Sequence, residues 1–141
     1  MSVLFGNKIA TVFNRHFDTI TEVETWIPTV LNNVNISNTQ GANITKAGLE
    51  SADSCKLFVD SAATEKAYLS PIEWNKLTLE EKRNAYTFKD EDFFVQGDVS
   101  DVEILEENFL EWMVNHYDNV FRVTTVDIYA DVLPHLEVGG K

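Results

Sequence analysis

The chain has 141 residues, a formal net charge of −12 and an isoelectric point near 4.5. That length suits one domain with a sizeable core, and 44% apolar with 24% charged residues is a globular composition. No apolar run approaches the roughly 20 residues of a membrane helix, and 23 acids against 11 bases leave no basic footprint for reading DNA or RNA.

The first turns carry no compact apolar region followed by a small-residue cleavage site, so no signal peptide is expected. From Phe5 to Phe17 the signals are mixed. Ile9, Val12, Phe13, His16 and Phe17 have helical spacing, while Ala10 to Arg15 suits a strand, which is the reading taken here. Asp18 and Thr19 read as a turn, and Glu22 to Ile36 as a strand with an edge or bulge at Pro28. Asn35 to Gly48 is polar and rich in Asn, a surface loop or ragged hairpin.

Ser54 to Asp60 is a short strand. Its Cys55 has no partner for an intramolecular disulfide and, beside Leu57, Phe58 and Val59, reads as a buried, inert thiol. Ser61 to Leu69 is a second polar loop. Thr78-Leu79-Glu80-Glu81 matches a capping box for a short helix, since Ala85 to Phe88 looks extended again. Phe93-Phe94-Val95 is a further apolar run, closed by Gln96-Gly97-Asp98.

A second box at Ser100 to Glu103 predicts the principal helix, over residues 101–115, with Val102, Leu105, Phe109, Trp112 and Met113 on one stripe. Between Asp90 and Glu111 lie nine acids and no base. They make either a solvated face or a surface that repels a polyanion or receives a basic partner. After a turn at His116 to Asn119, Val120 to Ala130 is the clearest strand signal, β-branched or aromatic at nearly every position. Pro134 breaks it, His135 to Val138 resumes it, and Gly139, Gly140 and Lys141 carry no evident packing content.

The sum is about six strands and one good helix. The fold class expected is mainly β: a single small antiparallel barrel or sandwich with long polar loops. Searches for chemistry give no candidate catalytic, cofactor-binding or metal residues. There is no Gly-rich phosphate loop, no G-x-S-x-G elbow and no metal spacing of Cys and His. His16, His116 and His135 are far apart and read as structural. Asp127 reads as a buried carboxylate pairing with Arg122 or Lys56, and Trp26, Trp74 and Trp112 as core or interface anchors. The class expected is non-enzymatic, without cofactor.

The segment Y-D-N-V-F-R-V-T-T-V-D-I-Y-A-D-V-L-P-H-L-E-V-G-G-K resembles the ends of small structural proteins of tailed phages and prophages, the minor capsid or head-closure (head–tail connector) proteins. Thr25-Trp26 leading into Val30 to Val34, then Cys55 to Asp60, then Phe93 to Asp98, fit the same pattern, and L-P-H-L-E-V-G-G-K is its most specific piece. Residues 35–48 and 61–76 lie outside the resemblance.

The resemblance implies a barrel that assembles as a homo-oligomeric ring in the virion neck, after synthesis in the bacterial cytoplasm. Its partners would be a portal or adaptor protein and tail proteins, with double-stranded DNA passing through unread and no membrane involved. The acidic excess would let DNA slide, and the two polar loops would order on docking. A tail-completion or tail-terminator protein is a close alternative, and an acidic module mimicking DNA charge is one from another class.

Overall fold

The computed structural model describes residues 8–39, 54–60, 64–105, 107–129 and 135–141. In chain order its elements are β1 (Lys8–Asp18), β2 (Val23–Thr39), β3 (Ser54–Asp60), β4 (Ala67–Tyr68), α1 (Pro71–Asn75), α2 (Leu79–Lys82), β5 (Ala85–Tyr86), β6 (Phe93–Gln96), α3 (Phe109–His116), β7 (Val120–Tyr129) and β8 (His135–Gly140). Six strands close a barrel in the order β1-β2-β3-β8-β7-β6, and every neighbouring pair is antiparallel. The mainly-β expectation therefore holds, as a barrel rather than a sandwich.

Asp18 does form the first turn, where its carbonyl accepts from Glu22 N at 2.7 Å. The bulge expected at Pro28 lies instead near Asn33: Lys8 pairs with Val34 but Ala10 with Leu31, so β2 carries one extra residue. Asn33 takes φ 55°, a left-handed conformation that Asn tolerates better than most residues. The extra residue turns both Leu31 and Val34 inward, and beyond it β2 leaves β1 and pairs with β3. Pro28 occupies a true edge: among the barrel strands only β1 flanks it, and its carbonyl accepts from Lys66 Nζ at 3.1 Å. Ser37 to Thr39, expected in a loop, continue β2 beyond the expected strand end at Ile36. The rest of that loop, residues 61–63 of the second one, and Pro134 lie outside the described residues.

Two hydrophobic layers share the barrel wall. Inside are Ala10, Val12, Leu31, Leu57, Phe94, Phe121 and Val138, joined by Tyr86 and Phe88 from the connection between α2 and β6. Outside, Phe13, Trp26, Phe93 and Val95 are covered by Phe109 and Met113 of α3. Strands apolar on both faces are what burial on both sides demands. They account for β6 reading as a continuous apolar run and for the mixed signals of β1. A third cluster of Ile27, Trp74 and Ala85 holds α1 and α2 to the wall.

The capping box at Thr78 forms as expected, with Thr78 Oγ1 accepting from Glu81 N at 3.2 Å and Glu81 Oε1 from Thr78 N at 2.9 Å. The box at Ser100 does not. Ser100 N and Oγ both donate to Asp98 Oδ1, at 3.1 and 2.8 Å, so the hydroxyl is committed to a local turn. The principal helix consequently starts at Phe109, not near residue 101. The apolar stripe keeps its face nonetheless: Val99, Val102, Ile104 and Leu105 form a non-helical strap packed on the outer layer.

The C-terminal glycines overturn the expectation that they pack nothing. Gly139 and Gly140 pair with both β3 and β7, and Lys141 exchanges two backbone hydrogen bonds with Arg122. Gly140 is buried, and a Cβ there would lie 2.8 Å from both Phe121 Cβ and Phe94 Cζ. Gly140→Ala should therefore destabilise by about 1–3 kcal/mol through overpacking. Gly139→Ala should cost less, because the atom it meets most closely is a hydroxyl that rotation can move. Urea midpoints with an unchanged m-value would show both.

Candidate functional site

The polar chemistry of the fold concentrates where β1 passes the segment between β5 and β6. Asp92 is fully buried. Its carboxylate accepts from Asn14 Nδ2 (2.8 Å), Arg15 N (2.9 Å), Lys89 N (2.9 Å) and Lys89 Nζ (2.8 and 3.1 Å). Burial pushes its pKa up, and the Lys89 ammonium with these hydrogen bonds works against that push. Asn14 also bridges to Thr87, donating to its carbonyl at 2.6 Å and accepting from its N–H at 3.3 Å.

Beside this centre the Trp74 ring carries two ammonium groups, Lys89 Nζ at 4.1 Å and Lys82 Nζ at 4.2 Å from its centroid. Lys82 is itself buried and lies 2.9 Å from His16 Nδ1, a geometry that suits an unprotonated acceptor nitrogen. Burial first, then the charge of Lys82, lowers the His16 pKa from its ordinary 6.5. Lys89 and Arg83 add to the lowering and Asp18 opposes it. The arrangement ties β1, α1, α2 and the turn before β6 into one body, which is structural chemistry.

Outside the barrel, a groove of about 770 Å³ runs between α3 and the wall. Its apolar lining is Trp26, Phe109, Leu110, Val114 and Val120, and its charged lining is Arg15, Glu24, Glu91, Glu111, Arg122 and Lys141. Arg15 is bonded to both Glu24 and Glu91. Separate apolar side chains reach solvent at the β1–β2 turn, where Ile20 is 92% exposed beside Phe17 and Val23.

Most residues singled out by sequence fall where expected, but not together. Cys55 is buried, and burial pushes its thiol up to about 12, which makes it inert. His116 stacks on Trp112 at 4.2 Å, and His135 lies 3.0 Å from Glu137, so with His16 on Lys82 the three histidines serve three different contacts. Trp26 and Trp74 are core residues, and Trp112 stacks against Phe109.

Asp127 corrects its expectation: it is exposed, and Lys56 pairs with Glu137 at 3.6 Å instead. The cause is a bulge in β7. Val123 pairs with Gly140 but Thr125 with Gly139, and the extra residue turns Asp127 outward. The carboxylate that is buried, Asp92, belonged to the acidic run and was missed as a site. The available signal was its place directly before Phe93-Phe94-Val95, three residues after Lys89.

Two measurements check this centre. Asp92→Ala should cost about 3–5 kcal/mol, because it strands the buried Lys89 ammonium, and denaturant unfolding would read the loss. His16 sets a pH dependence. Its folded-state value is lowered, so as pH falls through 6.5 the unfolded chain takes up the proton first. Stability should therefore decline from there down to the folded-state value. His16→Gln should remove that part of the decline in midpoints taken between about pH 5 and 8.

Among the described residues no helix is long and apolar enough to cross a membrane. No curated protein and no solved structure matches the chain. One family model does, over residues 5–141, and by that match the chain belongs to the family of unknown function DUF6751.

Proposed function

We propose that this chain is a structural virion protein of a tailed phage or prophage, a head-closure or head–tail connector subunit that forms a ring between portal and tail. The observation that carries the reading is the closed antiparallel barrel, with β2 and β3 paired out to Thr39 and Ser54. A closed barrel leaves its strands few free edges to add to another sheet, the stretch of β2 around Pro28 being one, so copies would meet mainly through side-chain surfaces and loops. Stacking of rigid rings uses contacts of that kind.

Two further features support it. A ring needs two different patches on one subunit, and this surface offers the apolar β1–β2 turn with Ile20 at its tip and, elsewhere, the groove beneath α3. The net charge of −12 suits a ring through which DNA must slide, since fixed carboxylates repel phosphates. The chain would do its work by shape, without making or breaking a bond.

The test is electron microscopy of particles from the phage or prophage that encodes the chain. Ring density at the neck that accommodates this barrel is the expected result, and deletion of the gene should yield filled heads without attached tails. Purified, tail-bearing particles that lack the chain would overturn the reading.

A further inference from the structure

Asn14, Lys89 and Asp92 bring together the parts of an amide-forming site. The Lys89 amine lies 2.8 and 3.1 Å from the two Asp92 carboxylate oxygens. Asn14 Nδ2 donates to one of the same oxygens, Oδ2, at 2.8 Å. One oxygen therefore bridges an amine and the nitrogen of a carboxamide. Lys89 Nζ also donates to the carbonyl of Arg15 at 3.2 Å, which holds the amine against the backbone next to Asn14. The carboxamide oxygen, Asn14 Oδ1, accepts from Thr87 N at 3.3 Å. Asn14, Thr87 and Asp92 are 0% exposed, and the Lys89 side chain is 9% exposed.

A buried ion pair would need only Lys89 and Asp92. The third member is an electrophile. Its leaving nitrogen rests on the carboxylate, and its oxygen rests on a backbone N–H where negative charge gathers during attack. Burial keeps bulk water from the reacting atoms. In such surroundings a charged pair is costly, and passing a proton from Lys89 to Asp92 relieves both charges. We infer that Lys89 and Asn14 join in an isopeptide bond, with Asp92 carrying the protons.

The step balances within the site. Asp92 takes one proton from the Lys89 ammonium, and the free amine attacks Asn14 Cγ. Charge builds on Asn14 Oδ1 under the Thr87 N–H. Asp92 gives its proton to Asn14 Nδ2 and takes a second one from Lys89 Nζ. The Cγ–Nδ2 bond breaks, ammonia leaves, the carbonyl reforms and Asp92 ends protonated. Burial pushes its pKa up, which suits that end state. No oxidant, reductant or outside reactant is needed. The site exists only when β1 lies against the segment before β6, so the bond follows folding and fastens the two together. It is made once in each chain and acts on no other molecule, so it is independent of the connector reading.

Mass spectrometry of the full chain, sampled at intervals after synthesis and unfolded for measurement, tests it. The intact mass should fall below the sequence mass by one ammonia. A tryptic digest should contain a branched peptide that joins the Asn14 and Lys89 segments. Lys89→Arg keeps a cation beside Asp92 but has no amine to give. It should hold the full sequence mass with a wild-type circular dichroism spectrum. Asp92→Asn should slow the loss of ammonia by about a hundredfold or more, as removal of a proton carrier does. If that variant does not fold, the branched peptide in the wild type and its absence from Lys89→Arg decide. A wild type that stays at full mass would overturn the bond. So would ammonia lost without the branched peptide, as when Asn14 cyclises on its own backbone, or loss of water with Lys89 joined to Asp92.

Discussion

A carboxylate taken out of water must find donors, and the barrel is arranged so that Asp92 finds four donor groups, with Lys89 Nζ reaching both oxygens. Two donors come from β1, through the Asn14 side chain and the Arg15 backbone. Two come from Lys89, at the end of the segment that carries Tyr86 and Phe88 into the barrel. The Asp92 carbonyl meanwhile accepts from Val123 N of β7 at 3.0 Å. One residue thus ties β1, β7 and the turn before β6 at a single point. Moving any of them would leave a buried charge or a backbone group unmet.

The same wall is used twice. Its inner face closes around Phe94, Phe121 and the inserted aromatics, and its outer face is roofed by α3 and the strap. Aromatic contacts run through the outer layer: Phe13 stacks on Phe93 at 4.8 Å, and Trp26 meets Phe93 edge-on at 5.1 Å. The roof explains how a barrel of only six strands holds α3 against its outer face. It also explains why the groove lies where it does, along the flank of α3 that the wall does not reach.

Much of this was legible in the sequence, because the forces involved were local. Ser54 to Asp60, Phe93 to Gln96 and the start of β7 at Val120 announced themselves through β-branched and aromatic runs, and Thr78 through its reciprocal cap. What escaped depended on distant partners. A bulge at Asn33 or Thr124 has no signal until the opposite strand sets the register. Once it shifts, every later side chain changes face, which is how Asp127 ended outside. Ser100 offered the right letters for a cap but had a nearer partner in Asp98. Gly140 looked like a tail because a residue without a side chain shows nothing of the rings that crowd it. Asp92 looked like one acid among nine, since burial is a property of the assembled fold.

The position of β8 has a consequence for how the molecule is made. This strand of residues 135–140 slots between β3 and β7, and β6 closes against β1 across more than eighty residues of sequence. Synthesis reaches β8 after the other barrel strands, so until it emerges β3 and β7 each lack one neighbour, having only β2 and β6. Such distant pairings form slowly, and the interval leaves two open edges able to recruit neighbouring nascent chains. For this barrel the hazardous interval is the one before β8 arrives, and the keystone strand is what ends it.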